Sequence, residues 1–170
     1  MEKAGVSVEL GIKVCVLEDQ FGFILHHRVM EHEEDVDVAI PMVTATQGKF
    51  SDLVSCSFDK GFHSPANQKD LPTYLDTVIL PKKGRLSVKD KEREYSPEFI
   101  GSRHQHSAVE SAINALEIHG LDRCPDHGLD GFKRYTALAV LARNIQQLGV
   151  KIRQKRLALR KRQEKLRKAA

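Results

Sequence analysis

The sequence predicts an α/β protein: a mixed sheet with flanking helices, followed by a long basic helix at the C-terminal end. Three observations carry that prediction. Residues Val6 to Val16 alternate with period two, the mark of a strand. A strand–helix–strand order runs from Leu53 to Leu80, which implies a parallel pair joined by a crossover helix. Two later stretches, 103–119 and 130–148, space their apolar residues as helices do.

In the first segment Val6, Val8, Leu10, Ile12, Val14 and Val16 point one way, and Ser7, Glu9, Lys13 and Cys15 the other. Glu18–Gly22 is polar turn material, and Phe23–Val29 reads as a second strand, giving an antiparallel hairpin with a five-residue loop. Asp35–Gln47 places Val36, Ala39, Ile40 and Val43 at helical spacing, with Pro41 inside as a missing donor. Leu53–Phe58 is a short apolar run ending at Asp59, read as a buried strand. Ser64-Pro65 opens a helix, with Ser as N-cap and Pro at the first position, running to about Tyr74. Thr77–Leu80 is the next strand. Pro81–Gly101 is expected to be a loop with one helical turn after Ser87.

The stretch 103–119 turns Ala108, Val109, Ala112, Ile113 and Leu116 to one side, and Gly120 is a C-terminal stop. In Asp130–Leu148 the residues expected to face inward are Phe132, Tyr135, Leu138, Ala139, Ala142, Ile145 and Leu148. The basic tail is expected to continue this helix past Gly149. Its apolar residues Val150, Ile152, Leu157, Leu159 and Leu166 read as an irregular pattern without heptads.

The chain has 170 residues, about one domain's length, and its 41% hydrophobic content is enough for a core. No apolar run approaches a membrane-spanning length, and the N-terminus shows no signal-peptide stretch. Cys15, Cys56 and Cys124 are too few and scattered for a disulfide framework, so a reduced cytoplasmic setting is expected. The net charge of +4 hides an asymmetry. Residues 150–170 hold ten Lys/Arg against Glu164 alone, a charge of +9, and residues 1–149 total −5. The expected division is therefore a mildly acidic domain over 1–149, which the resemblance described below makes a partial catalytic domain, and a basic helical tail over 150–170. Such a tail is either a nucleic-acid contact or a solvated helix end.

Two carboxylates stand out by position. Asp59 follows a buried strand, where functional groups gather in open α/β sheets. Glu110 shares the polar helix face with Arg103, His106, Ser107, Asn114 and Glu117. Carboxylates from a strand end and a nearby helix are a Mg²⁺-type donor set, leaving positions for water and phosphate oxygens. Cys124 and His127 have ligand-like spacing, but no second pair accompanies them at zinc-finger distance.

The segment Cys56-Ser57-Phe58-Asp59-Lys60-Gly61-Phe62-His63-Ser64-Pro65-Ala66-Asn67-Gln68 resembles the region of the second catalytic Asp in bacterial insertion-sequence DDE transposases. His106-Ser107-Ala108-Val109-Glu110-Ser111-Ala112-Ile113-Asn114-Ala115-Leu116-Glu117 resembles their catalytic Glu helix. His119–Cys124, Gly131–Tyr135 and Leu141–Ile145 resemble the family's sequence on the C-terminal side of that helix. The likeness covers nearly the whole chain. It implies a ribonuclease-H-like mixed sheet, DNA transposition by Mg²⁺-dependent strand cleavage and transfer, and a bacterial, nucleoid-associated location. Asp59 then matches the second acid and Glu110 the third, both as catalytic residues and as metal ligands. The expected DNA contacts, to element ends and target, are Lys60, Arg103, His106, Lys133, Arg134, Lys151, Arg153, Lys155 and Arg156.

The sequence departs from the family in two ways. Relatives place a Tyr and an Arg before the Glu and a Lys after it, where this chain has Arg103, His106 and Glu117. The family's first Asp also lies on a central strand upstream of the hairpin, and by strand count that strand is missing here. Asp19 is the nearest acid, but it sits in the hairpin turn. Without the central strand, the second strand must pair with the fourth, or a gap must remain between them. The expectation is the C-terminal portion of a transposase, a truncated copy inactive alone. The alternative is a non-enzymatic DNA-binding or oligomerising module that acts on an intact transposase.

Overall fold

The computed structural model describes residues 12–106, 116, 118 and 124–169. It is a mixed α/β structure in which two separate two-stranded sheets share a helix packed across both.

The first sheet is the hairpin of β1 (Val14–Glu18) and β2 (Ile24–Val29), paired antiparallel from Val14↔Val29 to Leu17↔His26, with a register shift at Glu18. The part of the expected first strand before Ile12 lies outside the described residues. The loop has the expected five residues, and Asp19 builds it. One of its carboxylate oxygens, Oδ1, accepts from the backbone N–H of both Phe21 and Phe23, each at 2.8 Å. Gly22 takes φ +84, the left-handed region that favours glycine. A side chain there would also collide with Gln147.

Helix α1 spans Asp35–Gln47, as the spacing predicts. Glu34 donates its N–H to Asp37 Oδ2 at 3.0 Å, and Asp35 and Asp37 set negative charge in the first turn, where the helix dipole favours it. Pro41 is accommodated at an exposed position.

The second sheet pairs β3 (Ser55–Ser57) with β4 (Thr77–Ile79) in parallel, as expected of the strand–helix–strand order. Between them, Ser64 caps α2 (Pro65–Asp70) by accepting from the Asn67 N–H, and a 3₁₀ turn follows over Leu71–Thr73.

The loop expected over 81–101 is instead largely helical. Helix α3 spans Val88–Glu94 and α4 spans Pro97–His106. Each start has a local cause. Ser87 and Asp90 form a reciprocal capping box, and Ser96-Pro97 repeats the Ser-Pro opening of α2, with Ser96 Oγ accepting from the Phe99 N–H at 3.2 Å. Lys82 bridges to Asp90, and its N–H donates to buried Glu94 Oε1 at 2.7 Å, tying α3 back to β4.

Helix α5 runs unbroken from Gly128 to Ala169, straight through Gly149. The expected boundary at 149/150 is therefore one of surroundings and not of backbone. Its 42 residues extend about 63 Å at 1.5 Å per residue, and every residue from Ile152 to Lys168 is exposed.

The hairpin lies between α1 and α5. Cys15, Leu17 and Met30 pack with Val38 and Met42 of α1. From the opposite face, Val16 packs against Ile24, Leu116, Ala139 and Val140. The face read as the polar side of the first strand is thus buried too. Ala39 and Val43 of α1 join Phe58, Leu71, Leu75 and Leu80 in the core under the second sheet. Leu53, Cys56 and Phe62 touch both clusters, so α1 bridges the two sheets.

The inward face expected for α5 needs correction. Leu138, Ile145 and Leu148 are half to three-fifths exposed, and Ala142 is exposed as well. The docked face runs instead through Thr136, Ala139, Val140, Asn144 and Gln147. The physical reason is the partner. The helix meets a strand edge whose backbone groups need hydrogen bonds, and polar side chains supply them. Asn144 donates to Ile24 O and accepts from Ile24 N–H, both at 2.9 Å, and Gln147 donates to Phe21 O.

Candidate functional site

Asp59 stands just past the carboxyl end of β3. The Phe58 N–H donates to Ile79 O at 2.8 Å, extending the parallel ladder by one residue, and the Phe58 ring is buried. The chain then leaves the sheet, and Asp59 caps a 3₁₀ turn over Lys60–Phe62. Its Oδ1 accepts from the Lys60 N–H at 2.7 Å. Both Asp59 and Lys60 are exposed.

The turn is held from below. Buried Asn67 donates through Nδ2 to Phe62 O at 2.9 Å and to Val36 O at 2.8 Å, fastening the turn to the start of α1. Gly61 lets Asp35 approach, since a Cβ at 61 would collide with the Asp35 carboxylate. Asp35 also lies 3.8 Å from Lys13 Nζ. Sequence reasoning did not single out Asp35 or Asn67, because the contact joins segments 24 or more residues apart. A Ser-capped helix that buries an Asn at its third position was the one available signal.

The other expected site residues divide into groups. Glu110 lies outside the described residues, as does the side chain of His106. Arg103 is exposed on α4. Lys133 pairs with Glu31, and hydrogen bonding to that carboxylate raises its pKa. Arg134 pairs with Asp126 at 2.9 Å, which lowers the Asp126 pKa. Lys151 lies over the Phe21 ring, 5.7 Å from its centre. Arg153, Lys155 and Arg156 stand on the free, fully exposed part of α5. Asp19 is committed to the hairpin turn through Oδ1.

Among the described residues, no three His, Cys, Asp or Glu side chains gather closely enough to hold a metal ion. Cys124 and His127 therefore have no third partner of that kind among them. The thiols of the two sheets are not nucleophiles. Burial raises Cys15 to about 11 and Cys56 to about 12, so both stay protonated at neutral pH. Burial also lowers the pKa of His26 and His27, and Lys49 adds to the effect, which keeps both rings neutral near pH 7. Among the described residues, no helix is long and apolar enough to cross a membrane.

This arrangement defines a mixed α/β protein with an acid at a strand end and a projecting basic helix. Comparison with protein-family models, with curated proteins and with solved structures finds no match.

Proposed function

We propose that the chain is the C-terminal portion of a DDE transposase catalytic domain, acting in DNA transposition, and that alone it binds DNA without cutting it. The observation that carries this reading is Asp59. It stands at the carboxyl end of a parallel strand, on a turn that Asn67 fixes to α1, within the segment that resembles the family's second acid.

The split sheet supports the same reading. A ribonuclease-H-like sheet without its central strand leaves a second–third pair and a fourth–fifth pair, and the two sheets here pair as β1–β2 and β3–β4. Cys56 of β3 packs against the cluster that holds Cys15 and Leu17 of β1, so strands of the two sheets share one core.

In a complete catalytic domain Asp59 and Glu110 would hold Mg²⁺, and the ion would supply activation of an attacking hydroxyl and charge stabilisation of the leaving oxygen. The Lys60 N–H orients the Asp59 carboxylate, and the Lys60 side chain stands beside it in solvent for a DNA phosphate. The DNA affinity of the chain itself comes from α5. Its exposed cations contact phosphates without reading sequence, so binding is non-specific and salt-sensitive. A second reading, a DNA-binding or oligomerising module that acts on an intact transposase, is favoured by the same exposed helix.

The test is purified chain with labelled duplex and Mg²⁺ or Mn²⁺. Binding without cleavage is expected. If five phosphates are engaged, affinity falls about 500-fold between 50 and 200 mM salt. Deleting Lys151–Ala170 removes most of the binding, and Asp59→Ala leaves it in place. Cleavage that disappears with Asp59→Ala contradicts inactivity. Unchanged binding after the deletion contradicts the role of the tail.

A further inference from the structure

Seven of the exposed apolar residues of α5 fall on a heptad. Leu138, Ile145, Ile152, Leu159 and Leu166 are each seven residues apart, and Leu141 and Leu148 add the second seam position in the first two repeats. Each of these seven is 44–64% exposed. The docked residues Thr136, Ala139, Val140 and Gln147 lie on the other side of the helix, and Asn144 sits at the border between the two faces. A seven-residue repeat drifts only about 20° per heptad around a straight helix, so the seam stays on one face. Of the apolar residues of the tail, Ile152, Leu159 and Leu166 continue this seam, and Val150 and Leu157 lie off it.

From Ile152 onward every residue to Lys168 is exposed. A helix is marginal in water without tertiary packing, so this half needs a partner along its apolar side.

We propose that this seam binds a second copy of the chain, α5 against α5, antiparallel about a dyad between positions 146 and 147. The proposal rests on the geometry of α5 alone and is independent of the transposase reading. Three features favour this occupant and orientation. First, the antiparallel register sets Ile145 against Leu148 and Leu141 against Ile152. Repeated by the dyad, these make four apolar layers, and Leu138 lies against the stem of Lys155 at each end. Second, Ala142 and Gly149 line one flank of the seam beside the dyad, and a Cβ at Gly149 would meet open space, so the two backbones can approach closely on that side. Third, charge excludes the parallel alternative. Parallel pairing stacks Lys155 on Lys155 and Arg162 on Arg162 at seam positions, with two +9 tails side by side. Antiparallel pairing sends the tails apart, each toward the −5 body of the other copy.

Sedimentation of the full chain is expected to give twice the chain mass, and Leu141→Lys with Ile145→Lys to give the single mass. Both residues already face solvent, so circular dichroism of the double variant should match the parent. Disulfide trapping between a Leu138→Cys copy and a Lys155→Cys copy, both in a Cys124→Ser background, reads the orientation. The mixed pair cross-links in the antiparallel dimer, where two copies of position 138 are about 26 Å apart along the axis, at 1.5 Å per residue. A monomeric parent chain, a double variant that keeps the dimer mass, or a 138–138 cross-link in place of the mixed one would each overturn the proposal.

Discussion

Asn144→Ala tests how α5 is held to the hairpin. The Asn144 side chain closes a two-bond clasp on Ile24, taking its N–H and giving to its carbonyl, both at 2.9 Å and 120 positions apart in sequence. Ile24 itself is 4% exposed, so both backbone groups lose their partners where water reaches poorly. Each partly buried hydrogen bond contributes about 1 kcal/mol net, and leaving the groups unpaired adds to the loss. Against this, Ala is the better helix former by at most about 0.7 kcal/mol. The hydrogen bonds win. The expected net loss is about 1.5 kcal/mol, and at about 2–4 °C per kcal/mol for a chain of this size the Tm falls by roughly 5 °C. Urea unfolding monitored by circular dichroism measures the loss, and amide exchange at Ile24 locates it. A change below about 0.3 kcal/mol, the size of an ordinary surface substitution, with Ile24 exchange unaltered, would refute the clasp.

Asn67→Ala removes the buried amide that joins the Asp59 turn to α1. It leaves Val36 O and Phe62 O without their donor and is expected to cost about 2 kcal/mol in urea unfolding. The hairpin histidines give a pH dependence. The folded pKa of His26 and His27 lies below the ordinary 6.5, so the unfolded chain binds protons first as pH falls. Their contribution to stability is complete above about pH 6.5 and is lost as pH falls through the folded values. His27→Phe should flatten that fall in Tm between pH 7 and 5. Buried Cys15 and half-buried Cys56, whose thiols burial pushes up to about 11 and about 12, should react with a thiol reagent at neutral pH only after unfolding.

The parts of the fold written in local pattern were legible in the sequence. The five-residue hairpin loop, the bounds of α1, the Ser64 cap and the parallel β3–β4 pair follow from alternation, helical spacing and capping chemistry. The face of α5 was misread because its deciding partner is distant in sequence. The leucines of α5 look like a core stripe until the hairpin edge is seen to demand Asn144 and Gln147. The helical turn expected after Ser87 is the start of α3, while charge concealed the rest of α3 and the α4 start that Ser96 with Pro97 marks. At the candidate site, Asp59 was visible from its place after an apolar run. Its supports Asn67 and Asp35 come from tertiary contacts that no local spacing encodes.

The proposed transposase role requires Asp59 and Glu110 to form one metal site. Mn²⁺ titration of the isotope-labelled chain, followed by amide line broadening, tests it most directly. The amides around Asp59 and Glu110 are expected to broaden together at one Mn²⁺ concentration, and Asp59→Asn to abolish both effects. Broadening at only one of the two, or at Glu110 unaltered by Asp59→Asn, would contradict it.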